Sequence, residues 1–312
     1  MVMDTKAINR QARVLPRKMT SKYKGLFYIS PWIIGFMVFQ LYPFLSSFIF
    51  SFTDFRVMGA PRFTGLDNYL TLFKQDPDFI KSLSVTAMYA LISVPSKLIF
   101  SLLIALLLNA KIQGVGFFRT AYYLPSILGG NIAISALWKI MFMKEGTINQ
   151  ILSGIGIAPI DWLGNPNLSL ITISILQVWQ FGSSMVLFLA ALKQIPLELY
   201  EAAKVDGSSR IATFFKITLP MLTPILFFNL IMQSINALQN FTSAFVVTNG
   251  GPLKSTYLIG LKLYIEAFTN FRMGYSCAIS WILFLIILVL TFVIFKTSDK
   301  WVFYDDGGNS HE

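Results

Sequence analysis

Apolar residues along this chain do not alternate with polar ones at short period; they run in long blocks separated by short charged connectors. Six blocks, roughly 26–52, 84–109, 117–142, 168–192, 221–247 and 275–296, reach the length of about 20 residues that a helix needs to cross ~30 Å of hydrocarbon. The pattern predicts an all-α, polytopic membrane protein with six transmembrane helices, because a helix satisfies its own backbone groups where water is absent. Pro31, Pro43, Pro95 and Pro125 fall inside the blocks and read as kinks rather than ends. The first block follows positive charge, as the core of a signal peptide does, but it is long enough to span and reads as an uncleaved first helix. No internal repeat, low-complexity tract or inserted soluble domain interrupts the series.

Composition agrees: with 55% hydrophobic and 13% charged residues, and 29 Phe, the chain lacks the charge to cover a water-facing exterior. The net charge of +10 would suit nucleic acid, but its distribution argues for a membrane flank and no nucleic-acid partner. Lys6, Arg10, Arg13, Arg17, Lys18, Lys22 and Lys24 precede the first block. Lys111 and Arg119 follow the second block, and Lys193, Lys204, Arg210 and Lys216 follow the fourth. All lie on one side, whereas the opposite loops mix signs, so the positive-inside rule predicts that both termini are cytoplasmic. The expected organisation is a basic cytoplasmic tail over 1–25, a six-helix domain over 26–296 with a cytoplasmic loop at 193–220, and a cytoplasmic tail over 297–312. Cys277 and His311 are the lone residues of their types, which argues against an intramolecular disulfide, a metal site or Cys/His catalysis. No phosphate-binding G-x-x-x-x-G-K-[ST] loop is present, so ATP hydrolysis is not expected in this chain.

The 193–220 loop carries the most specific pattern. Pro196 can open a short helix, Glu198 and Glu201 suit its positive end, and Gly207 can close it with a positive φ. Ser208 or Ser209 can cap a second helix, which Pro220 is expected to separate from the fifth span. The run Glu201-Ala202-Ala203, three residues, Gly207, nine residues, Ile217, one residue, Leu219-Pro220 resembles the complete EAA signature of ABC-importer permease subunits. Arg119 to Pro125, Thr248 to Pro252 and Leu66 to Tyr69 resemble its sugar-permease branch, the relatives of the maltose-type pair, although the large periplasmic insertion of one such subunit is missing.

The resemblance implies a type I ABC-importer permease in a bacterial or archaeal plasma membrane, in which Glu201, Ala202, Ala203, Gly207, Ile217, Leu219 and Pro220 couple the pore to ATPase subunits. It also implies a homologous second permease in a heterodimer, two cytoplasmic ATPase subunits that bind ATP and Mg, an extracytoplasmic solute-binding protein and a carbohydrate substrate. No cofactor is expected in this chain itself.

Within the spans, Asn229, Gln233, Asn236 and Asn240 fall in a stripe of roughly 60° on an ideal helix. Amides so placed must face protein or water, either as glue between helices or as a sugar path that offers donors and acceptors without charge. Gln177, Gln180 and Ser184 share a face of the fourth span beside Trp179, an aromatic surface suited to a pyranose ring, and Trp281 marks the sixth. Trp138 and Trp162 read as interfacial anchors. Lys97 is the charge that falls clearly within a block; it either snorkels to carbonyls or meets the companion permease. The lack of acids within the blocks disfavours the alternative, an ion-coupled secondary transporter.

Overall fold

The computed structural model describes residues 22–56, 59–110 and 114–303. The basic residues Lys6 to Lys18, Lys111 and His311 lie outside the described residues. The first span, Lys22–Phe36 continued through a π-helical turn into Tyr42–Ser51, forms one unit to Ile49, and residues from Phe50 onward form the other. None of the described side chains from 28 to 49 is buried.

In the second unit the centre is the second span, Pro77–Asn109, packed against both halves of the fourth span and against the fifth. It starts earlier than hydropathy suggests because Asp76 caps it, accepting from the amides of Asp78 at 3.0 Å and Phe79 at 3.1 Å, with Pro77 in the first turn. Ser82, Thr86, Ser93 and Ser101 are fully buried, each hydroxyl donating to a carbonyl about one turn back. Small satisfied side chains of this kind let neighbouring helices approach closely without leaving a polar group bare.

Two blocks expected as single helices are broken. The third consists of Val115–Leu128 and Ile132–Phe142; the stretch Ile132–Gly154 is bent by 101° from Val115–Leu128 across Gly129-Gly130, after which Asn131 caps the new start by accepting from Ala133 at 3.0 Å. The fourth consists of Pro166–Trp179 and Gly182–Leu192, bent by 46°. Among the described residues four helices are long and apolar enough to cross a membrane unbroken, and up to six crossings result if each bent pair is one span.

The fifth span corrects two expectations. Pro220 does not separate it from the preceding helix: Arg210–Thr213, a π-helical turn Phe214–Thr218 and Leu219–Leu238 run on as one helix. Near its start the missing amide of proline is absorbed by the widened turn. The helix also ends at Leu238, so the polar run that begins at Gln239 lies beyond it.

A further helix, Ile259–Tyr264 with a π-helical continuation Ile265–Thr269, is one that hydropathy passes over. Its first amide donates to Thr86 Oγ1 at 2.8 Å, and Leu258, Ile259 and Leu261 are fully buried. It buries Lys262 and Glu266, so Lys97 is not alone as a buried charge and acids are not absent from the interior. The pair is stable there because Lys262 contacts Asp76 at 2.7 Å and Glu266 at 3.3 Å, and Arg272 contacts Glu266 at 3.5 Å. The sixth span, Met273–Ser298, begins beside this network, where Tyr275 donates to Asp76. After it, Trp301 and Val302 pack back on Phe227 and Ile231 of the fifth span.

Candidate functional site

Three helix interruptions converge: Gly129-Gly130 in the third span, Gln180 in the fourth and Gln239-Asn240 after the fifth. They enclose a cavity of about 190 Å³. Its walls carry the amides of Gln177, Gln180, Gln239 and Asn240, the hydroxyls of Ser135, Thr242 and Ser243, and the ring of Phe241, with no charged side chain among the described residues. An interrupted helix exposes backbone and side-chain hydrogen-bonding groups at membrane depth, which is tolerated where they face protein or a polar cavity.

The site residues expected from sequence divide here. Gln177, Gln180 and Asn240 come together in the cavity; Asn240 donates to the Tyr89 hydroxyl at 2.9 Å and accepts from Ser243 at 2.6 Å. Asn229 is buried and donates to the Ile225 carbonyl of its own helix at 2.9 Å. Gln233 reaches across to the Ser184 hydroxyl at 3.2 Å while its buried carbonyl oxygen has no partner among the described residues. Asn236 is exposed. The stripe therefore does not act as one surface, because the helix ends before Asn240.

Trp179 packs on Trp138, with ring centroids 6.0 Å apart, and does not line the cavity. Trp138 donates to the Thr172 carbonyl at 3.1 Å and Trp162 to Asn149 Oδ1 at 3.1 Å, so both tie segments together within the chain. Trp281 packs on Phe284. Lys97 is 5% exposed with no carboxylate in ion-pair reach among the described residues, and its burial within this chain removes it from any companion surface. Gln239, Ser135, Thr242 and Ser243 join the wall without having been expected; the run Gln239 to Ser243 carries a signal for three of them, and Ser135 has none.

The elbow forms as its residues dictate. Pro196 precedes the helix Leu197–Val205, Gly207 adopts φ +70°, and Ser209 caps the next turn by accepting from Ala212 at 3.2 Å. The Tyr200 and Thr218 hydroxyls meet at 3.1 Å and tie the elbow to the fifth span. Ala203 is buried, Ile217, Leu219 and Pro220 are half-buried, and Glu201 and Ala202 are exposed. Val205 at 88% and Ile211 at 72% exposure place two large apolar side chains on the outer surface of the elbow. A β-carbon at Gly207 would meet nothing within 4 Å among the described residues.

Residues 74–301 match the family model described as "Binding-protein-dependent transport system inner membrane component". The chain is 46% identical over 284 residues to the probable ABC transporter permease protein YesP of Bacillus subtilis (strain 168), covering 90% of this chain and 92% of that protein. It is 35% identical to the lactose transport system permease protein LacF of Rhizobium radiobacter, covering 87% of this chain and 92% of that protein. In fold it resembles a chain of a bacterial ABC transporter involved in the import of the acidic polysaccharide alginate, with a TM-score of 0.77, 24% identity, and coverage of 89% of this chain and 96% of that one.

Proposed function

We infer the working of this chain from one premise: it belongs to the family of binding-protein-dependent transport system inner membrane components, the multi-pass membrane permeases of such importers. It is a permease subunit rather than an enzyme. We propose that it forms half of the pore of an ATP-driven importer of a sugar or oligosaccharide, with Gln177, Gln180, Gln239 and Asn240 on the solute's path. The observation that carries this is the convergence of three helix interruptions on a polar cavity walled by amides and hydroxyls. Amides and hydroxyls exchange hydrogen bonds with sugar hydroxyls and do not trap an ion, while Phe241 offers a ring face. The name of LacF, a lactose system permease, supports the same class.

In this reading both termini and the 196–220 elbow are cytoplasmic, and the exposed Val205 and Ile211 seat the elbow on an ATPase subunit that binds ATP and Mg. A second, homologous permease completes the pore, and an extracytoplasmic binding protein delivers the solute at the opposite face. Glu266, a buried acid of the kind an ion-coupled transporter uses, is held by Lys262, Arg272 and Asn270.

The test is reconstitution with these partners in proteoliposomes, measuring uptake of labelled lactose and a panel of neutral oligosaccharides. Uptake that requires internal ATP and survives ionophores is expected. Uptake without ATP that an ionophore abolishes would replace this reading with ion coupling.

A further inference from the structure

Spans three and four are each interrupted, and each interruption is completed by a side chain of the other. Among the backbone groups that the 46° bend in span four leaves without a helical partner are the Gln180 carbonyl and the Ser183 amide. Ser126 of span three serves two of them: its hydroxyl donates to the Gln180 carbonyl at 3.1 Å and accepts from the Ser183 amide at 2.9 Å. In return, Gln180 Nε2 donates to the Gly129 carbonyl at 2.8 Å, at the 101° bend of span three. Glycine makes the approach possible: a β-carbon at 129 would overlap the Gln180 side chain, and one at 182 would overlap the Tyr122 carbonyl. Gln180 and Gly129 also wall the polar cavity, so the donor that holds one bend lies where a solute hydroxyl would arrive.

We propose that Gln180 is a positioning residue that releases a hinge shared by spans three and four. A solute hydroxyl entering the cavity draws the Gln180 amide to itself, the Gly129 carbonyl loses its donor, and the two bends rearrange together. This rests on the reading of the cavity as the solute's path. With the tie intact the empty transporter is held in one arrangement; without it, the arrangement that follows loading is reached in the absence of solute.

The test uses the complete transporter in liposomes, with Gln180→Met and Ser126→Ala, and ATP hydrolysis is measured per assembled complex. Basal hydrolysis is expected to rise by about 2- to 10-fold, the factor that one neutral hydrogen bond carries. Stimulation by binding protein with lactose should shrink accordingly. The double variant should go no further than either single one, because both ties serve one hinge. Damage to the fold would lower complex yield and hydrolysis instead. Should Gln180→Met not assemble, Ser126→Ala reads the same hinge from a side chain outside the cavity wall.

Unchanged basal hydrolysis in the assembled variants, or effects that multiply in the double variant, overturns the shared hinge. If that happens while Asn240→Leu abolishes uptake, the cavity reading stands and the hinge alone fails. Normal uptake by Asn240→Leu removes the cavity reading itself.

Discussion

At position 207 the backbone sits at φ +70°, a conformation that glycine adopts freely and asparagine tolerates, but that costs a β-branched residue ~1 kcal/mol or more. Because nothing among the described residues lies within 4 Å of the vacant β-carbon position, Gly207→Asn should retain uptake. Gly207→Val should assemble in the membrane but transport several-fold more slowly per complex. Equal uptake by the two would show that the elbow's end conformation is unimportant. Asp76 offers a test by pH. Burial raises its pKa, but hydrogen bonds from Lys262 and Tyr275, with the Lys262 charge, outweigh burial and leave it below the usual carboxylate value. A carboxylate with a depressed folded-state pKa contributes stability above its unfolded value of about 3.9, and that contribution is lost as pH falls through the folded value. Thermal unfolding of the detergent-solubilised protein should therefore show no Asp76-dependent change between about pH 5 and 8, and a loss below about pH 3.9 that Asp76→Asn lacks. An Asp76-dependent loss already present near pH 6 would contradict the ion network.

Among the elements, the fifth span and the turn after it separate two roles that the amide spacing joins. Asn240→Leu and Gln177→Leu remove donors and acceptors from the cavity wall, so uptake per assembled complex should fall about 10-fold or more if each loses one or two hydrogen bonds to solute. Gln233→Leu, which replaces an amide whose carbonyl oxygen is buried without a partner among the described residues, should change uptake less than about 2-fold. The reverse order, measured on the same preparations, would return the path to the helix face. The positions of the spans were legible because lipid-facing length is a matter of composition, and the elbow because Pro196, Gly207 and Ser209 act through local backbone geometry. The bends were not, since apolar residues continue on both sides of Gly129-Gly130 and of Gln180-Phe181. The helix from Ile259 was missed for the opposite reason. Lys262 and Glu266 lower its hydropathy, and their pairing with Asp76 and Arg272 exists only once distant segments meet.

At the scale of the whole molecule, the apolar outer surface of the elbow predicts where the chain depends on others. Val205→Asp places a charge on a side chain that is 88% exposed, so it should leave the chain itself folded. Co-purification with the ATPase subunits should nevertheless drop sharply, because a buried unpaired charge is costly at an interface. Undiminished co-purification would move the docking surface elsewhere. The reciprocal bonds between Ser126 and Gln180-Ser183, and between Gln180 and Gly129, also bear on how the protein is made. A ribosome releases span three before span four exists. Until then the Gly129 carbonyl has no Gln180 amide to satisfy it, and a bare carbonyl in hydrocarbon costs several kcal/mol. Span three therefore cannot be handed to lipid in its final bent form by itself. The insertion machinery has to keep it in a sheltered or straighter state until the next segment arrives, and the two mature as one biosynthetic unit.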